Sequence, residues 1–119
     1  MDSGTQGLLL RIYVGDSDRY EGRPLYEALL LKAREAGLAG ATVMRGVAGF
    51  GAHSRIHTAK VLRLSEDLPV VLEIADEESK IRRFLPTVEA MVREGLVTLE
   101  RVQVFLYRPQ PARKPPAGG

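Results

Sequence analysis

Cysteine is absent from all 119 residues, which excludes disulfides, thiolate nucleophiles, iron–sulfur clusters and thiolate zinc sites. No apolar run approaches the roughly 20 residues that a membrane-spanning helix needs, and no charged-then-apolar leader opens the chain. These absences lead us to expect a cytoplasmic protein. Carboxylates are missing from one long stretch. None occurs between Glu35 and Glu66, whereas that span holds Arg45, Arg55, Lys60, Arg63 and both histidines, His53 and His57.

What is present describes a globular chain, with 45% apolar and 27% charged residues. The length suits one domain. We place it at residues 1–107, followed by a Pro-rich basic tail over residues 108–119 that has no core of its own to build. The formal charge is +2, but the tail carries Arg108, Arg113 and Lys114 and no acid; without it, 14 basic residues face 15 acidic ones, a net charge of −1. The basic isoelectric point therefore belongs largely to the tail, and nucleic acid is not an expected partner.

Along the chain, LLLRIYV (Leu8–Val14) has the β-branched and aromatic content of a buried strand. Pro24 suits a first helical turn, Leu25, Leu29, Lys32 or Ala33 and Ala36 recur at helical spacing, and Gly37 is placed to stop the helix. Asp16, Asp18 and Glu21 read as turn and helix-start residues, since a calcium loop would need a different glycine and a distal glutamate. ATVMRGVA from Ala41 reads as a second strand with a bulge at Gly46, and Val61–Leu64 as a further extended piece. PVVLEIAD (Pro69–Asp76) is a third strand, with Asp76 capping a helix whose apolar face is Ile81, Phe84 or Leu85, Val88 and Met91 or Val92. Pro86 should kink that helix and Gly95 should end it. TLERVQVFLY (Thr98–Tyr107) closes the order, with Val102, Val104 and Leu106 expected on the helix-facing side. The result is an α+β, ferredoxin-like βαββαβ sandwich with an extended loop between the second and third strands. Leu9, Tyr13, Val71, Phe105 and Tyr107 then fall on the uncovered sheet face, apolar enough to imply a partner subunit.

The loop is the chemically distinctive segment. In RGVAGFGAHSRIHTAK (Arg45–Lys60), Gly46, Gly49 and Gly51 let backbone N–H groups approach an oxyanion, while Arg45, Arg55 and His57 supply charge; that combination suits phosphate or carboxylate. The same glycines also suit a plain bulge and turn before a solvated basic loop. Phe50 could stack on a base or pack into a neighbouring core. The spacing is neither a dinucleotide fingerprint nor a Walker loop. His53 and His57 lack nearby carboxylates for a dedicated metal site. No serine, histidine and acid grouping supports nucleophilic catalysis, and no paired carboxylates support acid–base work, so an enzyme is not expected. Asparagine is absent as well, which argues against an acylphosphatase-like use of this fold.

The run GLAGATVMRGVAGFGAHSRIHTAKVLRLSEDLPVVLEIAD, with RIYVGDSDRYEGRPLYEALLLKAREAG, closely resembles the P-II-like proteins grouped as domain of unknown function 190, from about Leu8 to Tyr107. More distantly, GATV followed by GFG is similar to the nitrogen-regulatory P-II signalling proteins. The resemblance implies a homotrimer with effector sites in the clefts between subunits and a loop presented to a partner protein, a membrane transporter being one such partner. It also implies an adenine-nucleotide site, with Gly40 and Thr42 near the base or ribose, Gly49, Phe50 and Gly51 near phosphate, and Gly95 in a second turn lining the cleft. No covalent cofactor is implied. The turn at Glu94–Leu96 lacks the lysine usual in P-II proteins, which suggests AMP or ADP in place of ATP, with Arg45, Arg55 and His57 as substitutes for the missing cation. Two other readings remain: a divalent-metal-binding trimer similar to copper-tolerance proteins, and an interaction subunit without a small ligand.

Overall fold

The computed structural model describes residues 1–50 and 67–111. Its elements are β1 (Gln6–Gly15), β2 (Arg19–Tyr20), β3 (Arg23–Pro24), α1 (Leu25–Glu35), β4 (Thr42–Arg45), β5 (Pro69–Glu77), α2 (Glu78–Met91) and β6 (Leu96–Gln103). β2 and β3 form a two-residue ladder closed by Glu21 (φ 46°) and Gly22 (φ 82°), the paired positive φ angles of a type I′ hairpin turn. The main sheet is antiparallel in the order β4-β5-β1-β6. That is the ferredoxin-like arrangement expected from the element order, and among the described residues it leaves β4 and β6 as edges.

One face of β1 and β5 makes the core. Leu8, Leu10, Ile12 and Val14 lie beside Val70, Leu72 and Ile74, and both helices cover them with Leu25, Ala28, Leu29 and Ala33 of α1 and Ile81, Phe84, Val88 and Met91 of α2. Each helix buries the stripe that its 3.6-residue spacing marks out. α1 ends in a Schellman motif: Gly37 (φ 74°) donates to the Arg34 carbonyl at 3.1 Å and Leu38 to that of Ala33 at 3.2 Å, while Leu38 packs on the core. α2 continues through Pro86, which sits on its exposed side.

Three expectations need correction. β6 starts at Leu96 and ends at Gln103, and its parity is the reverse of that expected. Leu99 pairs with Leu10 and Val97 with Ile12, so these residues share the helix-facing side, while Val102 pairs with Gly7 on the open face. Apolar residues occupy both parities of this segment, so only pairing with β1 selects the face, and a one-residue shift inverts it. Val104 lies beyond β6 but still bonds Thr5 and Gly4. Asp76 caps nothing: it is the last inward position of β5, fully buried, and Glu77 is the residue preceding α2. The second strand is shorter than expected, because at Gly46 the chain turns over Pro69. The extended piece expected at Val61–Leu64 lies outside the described residues.

Candidate functional site

Among the described residues the loop-flanking strand β4 is an edge, so no other described strand occupies one side of its backbone, where a ligand or another chain could bond. Thr42 pairs with Glu73 on the open face, whereas Arg45 pairs with Val70 on the helix side, about 10 Å along the strand. A single ligand touches both only by lying along this edge. Past Arg45, the Gly46 N–H donates to the Pro69 carbonyl at 2.7 Å. A Cβ on Gly46 would stand 2.7 Å from Pro69 Cγ, and one on Gly49 2.9 Å from the same atom. These glycines therefore allow close packing on Pro69, and they leave Phe50 73% exposed.

Arg45 is not alone at the start of the loop. Its Nη2 donates to Asp16 Oδ1 at 2.7 Å and to the Tyr26 hydroxyl at 3.5 Å, with the guanidinium 5.9 Å from the Tyr26 ring centroid. The bond to Asp16 raises the Arg45 pKa above its ordinary value, so the group is a permanent cation. The sequence window around Arg45 contains no carboxylate, but the fold brings one from 29 residues away. Gly95 lies at the same end of the sheet, where its missing side chain makes room for the Tyr13 carbonyl, 2.5 Å from the Cβ position. Three strand intervals separate its edge from β4, roughly 14 Å, too far for one phosphate to span within a protomer.

At the other end of β4, Ala39, Gly40, Ala41 and Thr42 line an open groove of about 380 Å³ together with Met1, Leu9, Glu73, Ala75 and Tyr107. The backbone of Ala39 is held on both sides. Its N–H donates to Asp76 Oδ2 at 2.8 Å, and its carbonyl accepts the Tyr107 hydroxyl at 3.4 Å. Asp76 Oδ1 accepts the Glu77 N–H at 2.7 Å. Gly40 faces open space, which leaves its backbone accessible to a ligand. The acceptors here, Glu73 and the Thr42 hydroxyl, suit a group presenting N–H donors, and Leu9 and Ala75 suit its flat apolar surface.

On the open face, Met44, Val71, Tyr13 and Leu96 form one apolar row across all four strands, with Met44 42% and Leu96 57% exposed. Beside it, Arg11 donates to Glu73 at 3.1 Å and Glu100 at 2.9 Å, bonds that raise the arginine's pKa. A second depression, of about 460 Å³, lies between the end of α1 and α2 and contains none of the candidate site residues.

The structure thus gathers Arg45, Gly46, Gly49 and Phe50 at one end of β4 and Gly40 and Thr42 at the other, and separates Gly95 from them. Gly51, His53, Arg55, His57, Lys60 and Arg63 lie outside the described residues. Among the described residues no group of three His, Asp or Glu side chains could hold a metal ion. Sequence reasoning overlooked Asp16, Tyr26, Asp76 and Tyr107 as parts of the site. Asp76 alone left a trace, as an acid continuing the buried alternation of Val70, Leu72 and Ile74.

Comparison with known proteins fits this architecture. The DUF190 profile, described as "Uncharacterized ACR", matches residues 7–104. A UPF0166 protein of Aquifex aeolicus is 48% identical over 97 residues, covering 82% of this chain and 91% of the relative. Among solved structures, a putative PII-like signaling protein of Thermus thermophilus superposes with a TM-score of 0.58 at 16% identity, covering 84% and 90% of the two chains. CPII of Thiomonas intermedia, bound to ADP, AMP and acetate, gives a TM-score of 0.53 at 20% identity, covering 83% and 88%. With a profile match across nearly the whole sheet-and-helix body and the fold of the PII-like proteins, the chain belongs to the DUF190 family.

Proposed function

We propose that the protein is a PII-like regulator that binds an adenine nucleotide, AMP or ADP, in clefts between the subunits of a homotrimer and signals to a partner protein through the loop after β4. The observation that carries this reading is the β4 edge, which no other described strand covers. It presents a glycine-flanked, acceptor-lined groove at Gly40–Thr42 and a permanent cation at Arg45 about 10 Å further along. Base and ribose would lie in the groove and phosphate near Arg45. Support also comes from CPII, of the same fold, which holds ADP and AMP.

The row Met44, Val71, Tyr13 and Leu96, half-buried at its centre and exposed at both ends, supports assembly through the open face, since such a surface loses free energy when it leaves water. In that assembly Gly95 reaches the β4 edge of a neighbouring protomer rather than its own. Signalling then requires that nucleotide bind one loop state more tightly than another. Calorimetric titration with AMP, ADP and ATP, alongside light-scattering mass, tests the proposal. We expect saturable binding of AMP or ADP by a species of three chains. A single-chain mass, or no heat with millimolar mononucleotide, would sink it.

A further inference from the structure

The turn Gly15–Asp18 touches both ends of the loop. At the start, Asp16 Oδ1 accepts from Arg45 Nη2 at 2.7 Å. At the far end, the Asp16 N–H donates to the Leu68 carbonyl at 2.9 Å, and the Ser17 N–H and hydroxyl both donate to Asp67 Oδ1, at 3.0 and 2.7 Å. Asp67 itself has φ 41° and its carboxyl group lies against Gly15, where a Cβ would collide with it. The turn is braced internally by the Gly15 N–H donating to Asp18 Oδ2 at 2.9 Å, and the Asp18 carbonyl in turn accepts the Leu25 N–H ahead of α1. Two neighbouring residues of one short turn therefore hold segments that are more than 20 residues apart in sequence.

We infer that Asp16 is a built-in competitor for Arg45 Nη2, so that an anion taking that nitrogen displaces it and thereby loosens the turn's hold on Asp67 and Leu68. The inference rests on the nucleotide reading above and adds a mechanism for regulating that site. Arg45 has a planar fork of donors, of which Nη2 is taken by the Asp16 carboxylate and supported by Tyr26. A phosphate oxygen that arrives along the β4 edge and takes Nη2 competes with the Asp16 carboxylate there and meets its negative charge. The arriving anion and Asp16 cannot share Nη2 without repulsion, so the aspartate swings out. Its backbone N–H is bonded to Leu68 and its neighbour Ser17 to Asp67, so displacement at the start of the loop is felt at the far end. Arg45 is about half exposed and Asp16 about a third, so their pairing is weak enough for a ligand to overcome.

The test uses the full-length protein and three variants, Asp16→Asn, Asp16→Glu and Arg45→Gln, titrated with ADP and, separately, with inorganic phosphate. Removing the competing charge should tighten ADP binding by up to about five-fold, the range of an exposed ion pair. Asp16→Glu keeps the charge and should bind as the wild type does, and Arg45→Gln should weaken binding. Hydrogen exchange should show the Asp16 and Ser17 amides exchanging faster in wild type saturated with ADP than without it. Equal ADP affinity in wild type and Asp16→Asn, with unchanged Asp16 and Ser17 exchange, would overturn the competitor while leaving the nucleotide reading intact. No binding of ADP or phosphate to any of the proteins would overturn both.

Discussion

The Asp76 carboxylate offers the most demanding test of how the fold supports the groove. It is fully buried and accepts two backbone N–H groups, from Ala39 at 2.8 Å and Glu77 at 2.7 Å. Asp76→Ala leaves both donors without a protein acceptor. Each loss costs about 1–3 kcal/mol, so we expect about 2–6 kcal/mol in all. A domain of this size has a total stability of about 5–15 kcal/mol and shifts its midpoint by about 4–8 °C per kcal/mol. The melting temperature should therefore fall by at least about 8 °C. Asp76→Asn, nearly identical in shape, should not restore it, because the amide has one acceptor oxygen and points its NH2 at the other N–H. Thermal and urea unfolding by circular dichroism, at one fixed protein concentration, measures this. Hydrogen exchange at Ala39 reports whether the peptide beneath Gly40 has loosened. A midpoint within about 2 °C of wild type for Asp76→Ala would refute the reasoning, as would full rescue by asparagine.

Other expectations follow from single contacts. Gly95→Ala should destabilise strongly, since its Cβ would meet the Tyr13 carbonyl oxygen at 2.5 Å, whereas Gly40→Ala faces open space and should be nearly neutral in urea unfolding. Leu10→Ala, at a fully buried site, should cost about 2–5 kcal/mol by the same assay. Glu78 has its pKa lowered by hydrogen bonds from Arg82 and then Arg101. Its contribution to stability is therefore present above the ordinary glutamate value of 4.5 and lost as pH falls through the lower folded value. The stability gap between wild type and Glu78→Gln should be full at neutral pH and close below that range, as urea midpoints across pH would show. On the assembly through the open face proposed above, Leu96→Arg should leave the circular dichroism spectrum unchanged and reduce the light-scattering mass toward that of one chain.

Much of the fold was legible because its signals are local. The spacing of Leu25, Leu29 and Lys32 or Ala33 and that of Ile81, Phe84 or Leu85, Val88 and Met91 or Val92 outlined the helix stripes, of which the structure buries Ala33, Phe84 and Met91, and Gly37 marked the end of α1. The alternation of Val70, Leu72 and Ile74 marked the buried side of β5. The glycines after Arg45 announced a loop base, and the resemblance to P-II-like proteins named the groove residues Gly40 and Thr42. The Glu21–Gly22 hairpin turn is too short to show in a periodicity.

By itself, then, the sequence determined the element order, the helix faces and the family, because these depend on contacts within a few residues or on the whole pattern at once. Tertiary structure alone decided which side of β6 turns inward, that Asp76 serves Ala39 from 37 residues away, and that Arg45 meets Asp16 across 29. The physical reason is the same in each case. Strand pairing sets register and brings distant polar groups within bonding distance, and neither periodicity nor local charge counts carry that information.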